Sequence, residues 1–145
     1  MIDYSSFLLY EDNVLGIGFG ILDNGDFLIK KDYSYTIVKK NATIYLPLLP
    51  LLQLNVSLFK STIEERKLDF YQIVPIDIII QTAFDKGFFS SLFWKDLTLN
   101  WIEILDYKSP EIIKLLQEKS SNDSELPKDF KFKMKKILKR MLSAV

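Results

Sequence analysis

Apolar and polar positions alternate with a period of two early in the chain and with a helical period after its midpoint. In residues 14–22, large and small side chains alternate through Ile17, Gly18, Phe19, Gly20 and Ile21, the pattern of a strand packed on one face. Asn24-Gly25 follows inside Asp23-Asn24-Gly25-Asp26, and residues 27–31 resume the apolar run. Asn-Gly between two apolar runs predicts a type I′ hairpin, because both central residues of that turn need positive φ. Residues 33–38 are aromatic and β-branched and predict a third strand, and residues 39–42 turn the chain into a fourth at 43–46.

Residues 47–59 are too uniformly apolar for periodicity to separate helix from buried strand. Residues 61–67, with Glu64 and Glu65 beside Arg66 and Lys67, read as a charged turn, and residues 67–74 as a further strand.

Beyond Pro75 the period lengthens. Proline suits a first helical position, so a helix is predicted over 76–84 with Gly87 as its stop. Ser90 or Ser91 can cap a second helix through about Tyr107, in which Phe93, Leu97, Trp101 and Leu105 recur every four residues. Ser109-Pro110-Glu111 supplies a cap, a first position and a dipole partner for a third helix over 112–119. Residues 120–125 form a loop, and Leu126-Pro127 open a last helix through Ser143. In it Phe130, Met134, Ile137, Leu138 and Met141 make one stripe. The expected fold is α+β: an N-terminal antiparallel meander of four to six strands, then about four helices packed on it. Residues 1–145 read as a single domain, with strands mainly in 1–74 and helices in 75–145.

Composition adds ample core. A hydrophobic fraction of 48% and an aromatic fraction of 14% exclude disorder as the global state. The formal net charge is zero but unevenly placed. Residues 1–126 hold 18 acidic and 12 basic groups, whereas residues 127–145 hold one acid, Asp129, against seven bases. The first six residues contain no basic group, which argues against a secretory signal peptide. The longest apolar run, 44–54, is interrupted by Pro47, Pro50 and Gln53 and falls short of the roughly 20 residues that span a bilayer. No transmembrane segment and a cytoplasmic location are expected.

The chain has neither histidine nor cysteine. That removes the imidazole base, the thiolate nucleophile and the usual zinc ligands. Gly16-Ile17-Gly18-Phe19-Gly20 fails the dinucleotide spacing, since position 21 is Ile and a hairpin turn follows instead of a helix. Glycines lining one strand face where a helix or aromatic ring packs closely are the better account, and no nucleotide, metal or other cofactor is expected. Asp12, Asp23, Asp26 and Asp32 could gather at one end of the meander around a cation, but the absence of calcium-loop spacing favours solvated turn residues.

The basic C-terminal helix has three possible uses: docking on the core by its stripe, contact with nucleic acid, or contact with an anionic membrane surface. Its stripe favours the first, and the acidic body opposes nucleic acid. The aromatics Phe84, Phe88, Phe89, Phe93, Trp94 and Trp101 cannot all point inward, because sequence neighbours on a helix diverge by about 100°. Some should remain exposed as interface anchors.

These features together point to a non-catalytic protein-binding protein. Its most concrete form is a bacterial immunity protein that neutralises a cognate toxin, with an acidic surface complementing a basic toxin domain. The expected contact residues are Asp23, Asp26, Asp32, Glu64, Glu65, Phe88, Phe89 and Trp94. A small-ligand enzyme using carboxylate or tyrosine chemistry and a dimeric secretion chaperone or adaptor are the alternatives.

Overall fold

The structure, a computed structural model, describes residues 3–41, 46–85, 92–121 and 125–143. Four antiparallel strands in sequential order form the sheet: β1 (Leu8–Asp12), β2 (Ile17–Ile21), β3 (Phe27–Lys31) and β4 (Ser34–Val38). Six helices follow, α1 (Val56–Glu65), α2 (Phe70–Ile73), α3 (Ile76–Ala83), α4 (Leu92–Leu105), α5 (Pro110–Lys119) and α6 (Lys128–Ser143). The α+β class therefore holds, and the four helices expected beyond Pro75 are α3 to α6.

The sheet begins earlier than its alternation suggested. Residues 14–16 are the β1–β2 turn, not strand: Asp12 Oδ1 accepts from the backbone N–H groups of Val14 and Leu15 at 2.9 and 3.0 Å, and Gly16 takes φ 71°. The β2–β3 connection, residues 22–26, is closed by Leu22 N donating to Asp26 O at 2.9 Å, and Gly25 alone in it has positive φ (91°), so it is not the type I′ turn that Asn-Gly suggested. Asn24 instead uses its side chain, whose Oδ1 accepts from Asp26 N at 3.0 Å.

Register divides the sheet into two faces. Tyr10, Ile17, Phe19, Phe27, Ile29 and Val38 point towards the helices and join one continuous core. On the opposite face lie two cross-strand rows, Leu8–Gly20–Leu28–Ile37 and Glu11–Gly18–Lys30–Tyr35. Leu28 is 0% exposed, although it stands outside the main core cluster. The N-terminal 3-10 turn Tyr4–Phe7 lies over this face like a strap, and Tyr4 meets Tyr35 of β4 at 5.5 Å between ring centroids.

The strap explains the glycines. A Cβ on Gly20 would sit 2.3 Å from the Phe7 carbonyl oxygen, whereas one on Gly18 would meet neighbours at 3.3–3.4 Å. Close packing is thus the role of Gly20, against the backbone of Phe7 and Leu8, while Gly18 is bordered by the Leu8 and Lys30 side chains and the Tyr10 carbonyl, with no aromatic ring against either. Across Gly18 the Lys30 ammonium reaches the Glu11 carboxylate. Gly20→Ala is expected to destabilise by about 2–3 kcal/mol, as overpacking against a backbone atom does. Gly18→Ala should cost less than about 1 kcal/mol, and equal shifts of the two urea midpoints would contradict the strap.

Between sheet and helices the sequence reading needs correction. Thr43 to Tyr45, most of the expected fourth strand, lie outside the described residues, and Leu46 opens a 3-10 segment, Leu46–Gln53, whose leucines 48, 49, 51 and 52 are buried. The expected charged turn at 61–67 is largely the end of α1, capped at its start by Asn55, whose Oδ1 accepts from Leu58 N at 3.1 Å. The expected strand at 67–74 is the short helix α2, because the Asp69 side chain accepts from Tyr71 N at 3.0 Å and turns the backbone.

The C-terminal half follows its pattern closely. Ser109 Oγ accepts from Ile112 N at 3.2 Å to start α5, as expected. In α4 a four-residue step advances about 40° per repeat on a 3.6-residue helix. The predicted stripe therefore drifts: Trp101 is buried, Leu97 and Leu105 pack at the core margin, and Phe93 is exposed. The deepest face is Thr98, Leu99, Trp101 and Ile102. Helix α6 docks through Phe130, Met134, Ile137 and Met141. Its ends are bracketed to α4 by Lys133–Asp96 at 2.8 Å and Arg140–Glu103 at 3.2 Å, so part of the charge asymmetry is neutralised within the fold. Among the described residues no single helix is long and apolar enough to cross a membrane.

Candidate interaction surface

The meander separates the acidic residues proposed to act together. Asp12 and Asp32 lie at the turn end shared by β1–β2 and β3–β4, and Asp23 and Asp26 at the β2–β3 end. Among the described residues no group of three or more acidic side chains is placed to hold a metal ion.

Asp26 is not the solvated turn residue expected. It is 4% exposed, and its carboxylate accepts from Lys40 N at 3.1 Å, Asn24 Nδ2 at 3.1 Å and Lys39 Nζ at 3.2 Å. The Lys40 N–H is the largest influence holding this carboxyl below its ordinary 3.8, with Lys39 and Asn24 assisting against the opposing effect of burial. Asp26 thus ties the β2–β3 turn to the end of β4. A carboxyl lowered on folding contributes stability that is full above its unfolded value and lost as pH falls through the folded one. Asp26→Asn should therefore lower the denaturation midpoint at pH 7, and the gap to the unmodified protein should narrow as pH falls below 4. A gap that widens in acid would refute the tie.

Asp23, Asp32, Glu64 and Glu65 are exposed. Glu64 sits on the last turn of α1, where Lys60 Nζ donates to it at 2.8 Å. Trp94 is half-buried and meets the exposed Phe93 edge-on at 5.0 Å. Phe88 and Phe89 lie outside the described residues, as do Gly87, Ser90 and Ser91.

One of the expected residues, Glu64, does border a concave surface. A shallow cleft of about 330 Å³ runs between α1 and the C-terminal half of α4, lined by Ser57, Lys60, Glu64, Tyr71, Ile104 and Leu105 among others. Tyr71 and Ile104 are large side chains left 42% and 58% exposed. The Tyr71 ring is fixed from beneath. It stacks on Tyr107 at 5.9 Å with 9° between planes, and Lys60 Nζ lies 5.8 Å from its centroid.

Tyr107 is fixed in turn. Its hydroxyl donates to Asp77 Oδ1 at 2.8 Å, and Ser109 Oγ donates to the same oxygen at 2.8 Å. Asp77 occupies the first turn of α3, where the helix dipole favours a carboxylate. This is a convergent polar cluster with a tyrosine, a carboxylate and a serine, at the helices and not at the meander's mouth. Burial first, then the Asp77 hydrogen bond, pushes the Tyr107 hydroxyl well above its ordinary value. The hydroxyl is thus committed as a hydrogen-bond donor to Asp77. The cluster ties α3 to the α4–α5 connection and sets the angle at which Tyr71 is presented.

Sequence reasoning missed Tyr71 and Ile104. A single exposed Ile on a helix and a Tyr in a four-residue helix carry no periodic signal, and only the packing of α1, α2 and α4 brings them together. Comparison with protein-family models, with curated proteins and with solved structures finds no match to this chain.

Proposed function

We propose that this protein works by binding another protein, without catalysis of its own, and that it is an immunity protein that neutralises a cognate toxin. The observation that carries the reading is the Tyr71 cleft. An aromatic ring held by stacking and a polar cluster loses little rotamer freedom on contact, which is what an interface anchor requires. Ile104 and Leu105 provide apolar area beside it, and Lys60 and Glu64 provide a charged rim. Exposed Asp23, Asp32, Glu64 and Glu65 suit a basic partner, whereas Asp26 is committed internally.

Co-expression with the product of the neighbouring gene, followed by titration of the purified pair, tests the proposal. Tyr71→Ala should weaken the complex by about 30-fold, the scale of a hot-spot residue. Glu64→Lys with Glu65→Lys should slow association more than it speeds dissociation, and added salt should mimic that effect. A protein that captures nothing and turns over a small substrate would place it among the enzymes instead.

A further inference from the structure

Docking leaves one face of α6 turned outward. Its stripe of Phe130, Met134, Ile137 and Met141 is buried, and on one flank Lys133 and Arg140 reach Asp96 and Glu103 of α4. At about 100° per residue, Lys128, Phe132, Lys135, Lys139 and Leu142 fall within an outer arc of about 80°. All five are exposed, Phe132 to 66% and Leu142 to 57%. The ammonium groups of these three lysines, and of Lys136 beside them, take part in no ion pair among the described residues. Asp129, the one acid of the helix, lies towards the flank of Lys133 and Arg140 and not on the arc. A shallow groove of about 440 Å³ runs along the arc, lined by Lys135, Leu138, Lys139, Leu142 and Ser143.

We propose that this face binds peripherally to the surface of an anionic lipid bilayer, with lipid phosphates against the lysines and Phe132 and Leu142 entering the headgroup layer. Charge sets the sign of the partner: cations without an opposing carboxylate on the same arc suit phosphate. The apolar pair selects among anions. Phe132 and Leu142 stand about 15 Å apart along the helix axis, with lysines between them. Against the phosphate backbone of a nucleic acid two such side chains gain nothing, since that contact is electrostatic. At a bilayer they bury apolar area, while the lysine stems lie along it and their ammonium groups stay among the headgroups. The arc is the convex outside of a single helix, so a protein partner would have to supply a matching hollow, whereas a lipid surface conforms to it. Because the main stripe is held in the core, α6 does not sink into the acyl layer. The contact is shallow, led by charge and screened by salt. It uses none of the cleft residues around Tyr71 and does not rest on the protein-binding reading.

Co-sedimentation of the full chain with vesicles tests this, using phosphatidylcholine alone and an equal mixture of phosphatidylcholine and phosphatidylglycerol. Binding is expected to the mixed vesicles only, and it should fall as salt rises. Lys135→Glu with Lys139→Glu should weaken it by about 30-fold, since each lysine near an anionic surface counts for about fivefold, with an unchanged circular dichroism spectrum. Phe132→Ala with Leu142→Ala leaves the charge as it is and should weaken binding by about tenfold through lost apolar burial. No binding to the mixed vesicles overturns the proposal, as does equal binding to both kinds. A double alanine variant that binds like the unmodified protein also overturns it, because charge alone would serve any polyanion. Duplex DNA held more tightly than the mixed vesicles would assign the arc to nucleic acid and equally overturn lipid binding.

Discussion

Phe59→Ala should lower the unfolding free energy by about 3–5 kcal/mol, the cost of truncating a fully buried aromatic. The Phe59 ring is the point where sheet and helices meet. It stacks on Tyr10 of β1 at 5.1 Å and meets Phe19 of β2, Phe70 of α2 and Trp101 of α4 edge-on at 5.7, 5.2 and 6.2 Å. Four elements would lose a shared neighbour at once, and a rigid sheet on one side limits how far the others can collapse into the space. Urea denaturation followed by far-ultraviolet circular dichroism measures the loss, and tryptophan fluorescence in a Trp94→Phe background, which leaves Trp101 as the one indole, should report the altered packing before unfolding. A cost near 1 kcal/mol would mean that the cluster closes over the gap and that Phe59 is not the joint.

Trp101→Ala should cost a similar 3–5 kcal/mol, but Trp101→Phe should cost far less. The indole is 2% exposed and fully engaged with the core, yet its Nε1 has no hydrogen-bond partner among the described residues. A buried donor left unpaired carries a penalty of about 1–3 kcal/mol. Phenylalanine removes that donor while keeping most of the ring, so relief of the penalty offsets part of the lost volume. Parallel urea titrations of the two variants decide the point. Phenylalanine as costly as alanine would show that the N–H is satisfied in solution.

The sequence was most legible where one local rule acted alone. Ser109 and Pro110 start α5, the Phe130–Met134–Ile137–Met141 stripe docks α6, and Gly25 turns β2 into β3. Legibility failed where two rules competed. Helix α1 has a helical stripe in Val56, Phe59 and Ile63, but it adjoins an all-apolar 3-10 segment and ends in Glu64-Glu65-Arg66-Lys67, so apolar run and charged run masked one amphipathic element. Its stop is equally hidden, because Lys67 takes φ 65° where glycine would have been the signal. Strand β1 hides behind a bulge that breaks its alternation. Asp26 read as a surface turn residue because its partners Lys39 and Lys40 are two strands away in sequence. The cleft was illegible for a related reason: Tyr71, Ile104 and Lys60 are ordinary surface residues until tertiary packing assembles them.

The strap over the sheet's far side changes what substitution the sheet can accept. In an ordinary meander one face is covered and the other is free to vary, so half its positions are nearly neutral to mutation. Here Gly18, Gly20 and Leu28 sit on the side away from the helices and yet are enclosed by the Tyr4–Phe7 turn and the Glu11–Lys30 pair. A scan of all single substitutions would find both faces of β2 intolerant. Removal of residues 1–7 would then convert the intolerance at positions 20 and 28 into tolerance while exposing an apolar row to association. The Tyr4–Phe7 turn is in this sense a second roof, and the sheet is a middle layer.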